Sequence, residues 1–573
     1  MNKSHSLLRQ IVLITNTNRV ASKIYNLIYR IALRSLVFFL SRIPHVIAVY
    51  LHGGALIFYN KKTKYREPYL YYRKKEFIYG VSDIDIVVVI DIMSPLEEAK
   101  ILKRISKTFF LARKIFPFLS IPDIFNISEM DKWIRFTDYG GYAARGWKSF
   151  FGKKIDLRCY FFDRQKFILD FIKKGLSWHL YASFYGLIFH GLTKPIANFS
   201  RRQLKMFFRA LRFTNYATIE CSKVSDKQIT SGPFDIIDVL NQARRVKHSS
   251  FSTGKQEEEI IKTFSFLSNF FETTCRTLRV YIQKCEQKQS LFLHPLRLTK
   301  LSLLPRTLKF AENRTREFSG EVYSELNSSV VSIVLGSGSC GCSYGYRLYI
   351  VLKSDLSKHS LEEAVRVIKK LYSPYRDFFY SGYFGWREYP IILQESIFSF
   401  LLEFKVFPDV MESFYLLKHG LILKGEDVLQ DARLHILNYN DAIILSSITS
   451  KYKEIRAVFM NATILKFSSD KTMSFCLSRA IIDACGAIPC AVLLLRLGII
   501  ATTSSEIAQE YCRNFSEDPS TNWLKDFFAK YGELPVEEVK KLDPKLLIEE
   551  SYCFLMEQAR EIDKLLNTNV HFG

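Results

Sequence analysis

No CxxC pair occurs anywhere in this chain, although it holds 11 cysteines. An odd count without that spacing supplies neither a disulfide framework nor a zinc site, and a reducing cytoplasm is the compartment it fits. Cys340 and Cys342 are expected to fill a turn. Uninterrupted apolar runs are also scarce. Arg9, Arg19, Lys23, Arg30, Arg34 and Arg42 break the apolar N-terminus too often for a signal peptide or membrane span, so helices packing on a first sheet are expected there. The most membrane-like stretch, residues 484–502, contains Pro489 and Arg496 and reads as a buried helix, so no transmembrane segment is expected. Acidic residues are in deficit, 57 against 81 Lys and Arg, which gives a formal net charge of +24. That excess favours a polyanionic partner, nucleic acid or an anionic membrane surface. At 573 residues the chain is too long for one ordinary core, and several domains are expected.

What the chain does have is Gly80-Val81-Ser82-Asp83-Ile84-Asp85 running into Ile86-Val87-Val88-Val89-Ile90. Strand side chains alternate between faces, so Asp83 and Asp85 point the same way at the mouth of an apolar, doubly covered strand. Two carboxylates held that close repel, and a divalent cation taking oxygen ligands from both relieves the repulsion. The pair reads as a magnesium site. Upstream, Val46-Ile47-Ala48-Val49-Tyr50-Leu51-His52 is a β-rich run ending in Gly53-Gly54, where backbone without a Cβ can approach a phosphate.

This ordered combination resembles the nucleotidyltransferase superfamily, which includes DNA polymerase β, aminoglycoside adenylyltransferases and poly(A) polymerases. The family's mark is a Gly-Gly or Gly-Ser turn followed by a strand reading Ser-Asp-hydrophobic-Asp, matched here by Gly53, Gly54, Ser82, Asp83 and Asp85. The gap from Gly54 to Asp83 is longer than the family's usual spacing. The added residues 59–75 interleave basic and aromatic side chains, a mixture that suits a phosphate backbone with stacked bases and equally a solvated hairpin. The resemblance implies a third carboxylate on a later strand. Asp156, in the alternating run Ile155-Asp156-Leu157-Arg158-Cys159, is the candidate, with an ion pair to Arg158 as the alternative and Asp138 in reserve. Arg145 and Lys148, in the glycine-rich loop 140–148 that also carries Trp147, are candidate nucleotide contacts.

A second apolar strand, Ser332-Ile333-Val334-Leu335, runs into Gly336-Ser337-Gly338-Ser339 and is followed by Tyr346-Arg347-Leu348-Tyr349-Ile350-Val351-Leu352. Lining up the apolar runs sets Arg347 against Asp83 and Tyr349 against Asp85, so no metal pair survives. Leu361-Glu362-Glu363-Ala364 echoes Leu96-Glu97-Glu98-Ala99, and Gly420-Leu421-Ile422-Leu423-Lys424-Gly425 echoes Gly186-Leu187-Ile188-Phe189-His190-Gly191. His52 and His190 have apolar settings and read as core histidines. The expected fold class is α/β, two nucleotidyltransferase-like mixed-sheet domains in tandem, each followed by a helical domain. The boundaries are a nucleotidyltransferase domain with N-terminal helices at 1–198, a helical domain at 199–325, a degenerate nucleotidyltransferase-like domain at 326–437 and a helical domain at 438–573.

The resemblance implies a magnesium-dependent transfer of a nucleoside monophosphate from a nucleotide triphosphate to a hydroxyl on a small molecule or RNA. Two ions are expected, held by Asp83, Asp85 and Asp156, with a pseudo-active second copy. The alternative is a catalytically inactive nucleotide- or RNA-binding protein, against which the three carboxylates argue, since a binder of phosphates gains nothing from clustered negative charge.

Overall fold

The computed structural model describes residues 11–12, 15, 19–52, 84–116, 118–130, 147–152, 155, 261, 268, 271–272, 275–276, 279–280, 294–300, 306–337, 346–375, 381–382, 386–387, 390–405, 410–437, 444, 448, 455–463, 471–532, 534 and 536–568. Both helices and mixed sheets are present. The chain groups into two compact units, each assembled from separated segments. The first comprises Met1–Asp170, Ile448–Leu477 and Asp543–Asp563, and the second comprises Phe171–Ser447, Ser478–Leu542 and Lys564–Gly573.

In the first unit, helix α1 (Arg19–Leu40) leads into strand β1 (Val46–His52). Strand β2 (Asp85–Ile90), helix α2 (Pro95–Ile115), strand β3 (Asp123–Asn126) and strand β4 (Lys148–Gly152) follow. The sheet order is β3-β2-β1-β4, with β1 antiparallel to β2 and to β4 and β3 parallel to β2. Strand β2 is an unbroken Ile/Val run after Asp85 and is buried along its whole apolar length, as a strand flanked on both edges requires. Helix α2 makes the crossover to the parallel strand. Ser94 caps it by accepting from the Glu97 amide, Pro95 starts it, and Arg113 and Lys114 in its last turn face the helix dipole's negative end. Its buried positions Glu98, Leu102, Ile105 and Phe109 recur at helical spacing. Helices α1 and α2 pack together, with the Tyr29 ring edge-on to Phe116 at 4.7 Å.

The second unit repeats this order. Helix α3 (Arg306–Glu325) is followed by β5 (Val330–Ser337), β6 (Tyr346–Leu352), helix α4 (Lys358–Tyr375), β7 (Ile391–Gln394), α5 (Glu395–Glu403), α6 (Val410–His419) and β8 (Leu421–Gly425). Its sheet order, β7-β6-β5-β8, has the same strand directions as the first. The registers coincide residue by residue. Both opening strands shift register at the same place, between Val46 and Ala48 and between Val330 and Ser332. Gly152, paired with Ala48, and Gly425, paired with Ser332, both end the fourth strand at positive φ, +82° and +83°. A Cβ on either would lie 1.8 Å from the Ile47 carbonyl oxygen or 2.1 Å from that of Val331, so only glycine fits. The buried amides of Asn126 and Gln394 end the third strands and donate to the carbonyls of Ile92 and Ser354, each two residues past the end of the second strand.

These registers correct two expectations. Leu421–Gly425 corresponds to Lys148–Gly152 and not to residues 186–191, which lie outside the described residues. Counting from the shared register shift, Arg347 opposite Gly336 corresponds to Asp85 opposite His52, and buried Tyr349 corresponds to Val87. An apolar run has no internal landmark, and alignment by hydrophobicity alone slips by two residues.

The C-terminal region is helical where described: α7 (Lys471–Leu497), α8 (Ser504–Asn514), α9 (Pro519–Tyr531) and α10 (Pro544–Thr568). Among the described residues one helical stretch, Ser474–Leu497, is long and apolar enough to cross a membrane, and 72% of its apolar window is buried inside the protein. The helix stops at Leu497 because Gly498 turns left-handed at φ +68°, and Ile499–Ile500 then pairs with Arg297–Leu298. The cysteines among the described residues are all free, and burial pushes the Cys490 thiol up to about 12.

Candidate functional site

Asp85 opens strand β2, half-buried, directly across from His52 where β1 runs toward Gly53. Alternation puts it on the face of Val87 and Val89, which pack with Ala48, Tyr50, Phe125 and Met130 in one core cluster joined by Trp147 and Ile155. The backbone beside it is clamped. Ile84, between the two aspartates, donates from its amide to the Phe118 carbonyl at 2.9 Å and accepts on its own carbonyl from Ser120 N at 3.1 Å and Ser120 Oγ at 2.8 Å. A segment fixed on both edges presents its carboxylate without a further ordering cost. Among the described residues no cation pairs with Asp85, and a half-buried oxygen donor at a strand end is chemically suited to a hard divalent ion.

Tyr50 supports the next stretch of chain. Its hydroxyl accepts a hydrogen bond from Ile155 N at 3.0 Å, and burial holds the phenol above its ordinary value despite that bond, so the hydroxyl keeps its proton. This fixes the residue preceding Asp156 over the core that Val87 and Val89 line. Asp156 itself lies outside the described residues, as do Gly53, Gly54, Ser82, Asp83, Asp138 and Arg145. The basic aromatic stretch 59–75 lies outside them too.

Two members of the glycine-rich loop take other duties. Trp147 joins the core, its ring 5.7 Å from Tyr50 and stacked at 6.5 Å on Phe125. Lys148 begins β4 opposite Leu51, whose side chain occupies the face away from Asp85. Its ammonium lies 5.8 Å from the Phe150 ring centroid. The register therefore separates Lys148 from the aspartate, because consecutive strand residues alternate and Trp147 already takes the aspartate's side.

In the second sheet the position of Asp85 is held by Arg347, whose Nε donates to Glu412 Oε2 on α6 at 3.2 Å. Gly336 and Ser337 remain strand residues, and a Cβ on Gly336 would meet the Leu416 side chain at 2.6 Å. A guanidinium paired to a nearly buried carboxylate offers no oxygen ligand to a metal.

The charged constellation that sequence reasoning missed is buried in the first unit. Arg456 Nη1 and Nη2 donate to Glu129 at 2.6 and 2.8 Å, and its Nε donates to Glu98 Oε1 at 2.6 Å. Tyr552 donates to the same Glu98 oxygen at 2.8 Å, and Arg560 pairs with Glu98 Oε2 at 3.6 Å. Burial opposes the charge on Arg456, but Glu129 and Glu98 outweigh it and hold the guanidinium well above its ordinary value. Burial and then Glu98 raise the Tyr552 phenol well above its own. Two carboxylates face two guanidiniums, so the cluster is balanced and serves as a tether. One trace existed in the sequence: Glu98 sits at the buried helical spacing of Leu102 and Ile105, where a charge demands a partner. Among the described residues no group of three or more His, Cys, Asp or Glu is disposed to hold a metal. No family model, curated protein or solved structure matches the chain.

Proposed function

We propose that this chain is a magnesium-dependent nucleotidyltransferase whose catalytic residues belong to the first sheet and whose second sheet is a degenerate copy of it. The observation that carries the reading is Asp85, next to the backbone-clamped Ile84 and at the end of a central strand paired with the strand that leads to Gly53-Gly54, within the sequence Ser82-Asp83-Ile84-Asp85. Arg347 at the equivalent position of an otherwise superimposable register supports a loss of the metal site in the second copy. Asp83, Asp85 and Asp156 would hold the ions, which when bound neutralise the triphosphate and the charge that develops on it. Gly53, Gly54, Ser82 and Arg145 would contact the nucleotide, and Lys148, which lies across from Leu51 on the face opposite Asp85, is left out of the proposed set. Asp156 takes the proton of an acceptor hydroxyl as its oxygen attacks the α-phosphorus and pyrophosphate leaves. The acceptor is a small molecule or RNA, and the charge excess of +24 favours the polyanion.

The test is full-length protein with magnesium, labelled triphosphates and either total RNA or small polyhydroxylated acceptors, followed for pyrophosphate and labelled product. Asp83→Asn and Asp85→Asn are each expected to abolish transfer with the melting temperature unchanged. Full turnover in both variants sinks the assignment of the metal site to these aspartates, and no product with any acceptor sinks the transferase reading and leaves a phosphate-binding protein without turnover.

A further inference from the structure

Helix α1 has two apolar faces where a surface helix needs one. Tyr29, Leu33, Leu36 and Leu40 face the interior and are at most 2% exposed. On the opposite side Val20, Ile24, Leu27, Ile31 and Phe38 follow one another at spacings of three, four and seven, and all are 50–65% exposed. Exposed Lys23 and Arg34 border this stripe, and the chain carries no Asp or Glu before Glu67. The neighbouring helix α2 extends the surface: Leu111 and Ile115 stand 60% and 85% exposed among exposed Arg104, Lys107 and Lys114, on a stretch of helix without an acid.

We infer that the outward face of α1, extended by the end of α2, docks on an anionic lipid bilayer. The occupant follows from the charge pattern. A second copy seated symmetrically would bring Lys23 and Arg34 against their own equivalents, with no carboxylate on the face to pair them. A nucleic acid would satisfy the cations but leave the aliphatic stripe in water. An anionic bilayer accepts both at once, acyl chains taking the apolar residues and headgroups the cations. This surface is distinct from the Asp85 site, and the inference stands whether or not the chain transfers nucleotides.

Full-length protein is sedimented with vesicles of pure phosphatidylcholine and of phosphatidylcholine with phosphatidylglycerol, at low and high salt. Binding is expected to the anionic vesicles only and to weaken with salt. Ile24→Gln, Leu27→Gln and Ile31→Gln together change outward positions, should leave the melting temperature unaltered and should abolish binding. Lys23→Gln with Arg34→Gln removes two headgroup contacts and should weaken it by roughly 30-fold. If the triple variant does not fold, a single Leu27→Trp reports instead: its fluorescence should shift blue with anionic vesicles and be quenched by brominated acyl chains. Equal binding to neutral vesicles, binding unmoved by the triple variant, or fluorescence of the Leu27→Trp variant that brominated chains leave unquenched overturns the inference. So does a dimer in sedimentation that the triple variant dissolves while vesicles go unbound.

Discussion

Gly152 and Gly425 tie the architecture to single atoms. Each ends a fourth strand at positive φ against a carbonyl of the opening strand, so Gly152→Ala and Gly425→Ala are expected to cost at least about 1–3 kcal/mol through strain alone, with the clash added. Gly320, inside helix α3 with nothing within 4 Å of a Cβ, is the internal control. There Gly→Ala should stabilise by roughly 0.5–1 kcal/mol. Urea midpoints for the three variants should move in these opposite directions. Arg456 is the other residue on which much depends, because its loss removes the guanidinium that pairs buried Glu129 and leaves buried Glu98 to Tyr552 and Arg560. Arg456→Met should cost about 3–5 kcal/mol, and adding Glu98→Gln and Glu129→Gln should recover part of it. No recovery in the triple variant would show that packing, rather than charge, sets the cost.

Among the elements, α6 and α8 are joined by a buried knot around Glu506. Lys418 Nζ lies 2.5 Å from Glu506 Oε1 and His419 Nε2 lies 3.3 Å away, while Thr502 donates from N at 2.8 Å and from Oγ1 at 2.9 Å. Burial works against the carboxylate, but these donors overcome it and hold Glu506 below its ordinary 4.5. A depressed carboxylate contributes its full stability above the unfolded value and loses it as pH falls through the folded one. The wild-type protein should therefore be more stable than Glu506→Gln at pH 7, by about 3–5 kcal/mol, and the gap should narrow below the ordinary carboxylate range. Denaturant midpoints at pH 7 and near pH 3 check this, and a gap independent of pH would refute it. The two central strands of each sheet were legible in sequence, and the flanking strands were not. β1, β2, β5 and β6 announce themselves as apolar runs. Register was not legible, because it is set by paired backbone and by bulges at Val46–Ala48 and Val330–Ser332, which leave no mark in composition.

For the molecule as a whole, the positive charge predicts how an acceptor is held. If RNA is the acceptor, log affinity should fall with log salt at about −0.7 per phosphate contact, and charge reversal of Lys61, Lys62, Lys74 and Lys75 should flatten that slope. A shallow slope unmoved by those changes would point to a small acceptor. Of the candidate residues, the place of Asp85 at the mouth of β2 was legible in sequence, while the places of Trp147 in the core and of Lys148 on the opposite face were not, since strand alternation divides those two. By itself the sequence determined the mixed α/β character, the aspartate motif at a strand mouth, the second strand pair without it and the burial of the apolar C-terminal helix. These are local properties, carried by hydrophobic period, turn residues and charge within a few neighbouring positions. Only the tertiary structure decided that Arg347 stands where Asp85 does, that one cluster gathers Arg456 with Glu129 and Glu98 across sequence separations of 327 and 358 residues and Tyr552 with Glu98 across 454, and that α1 turns one apolar face outward. Each depends on which distant segments share a core, and side-chain periodicity states that a face is apolar without stating what covers it.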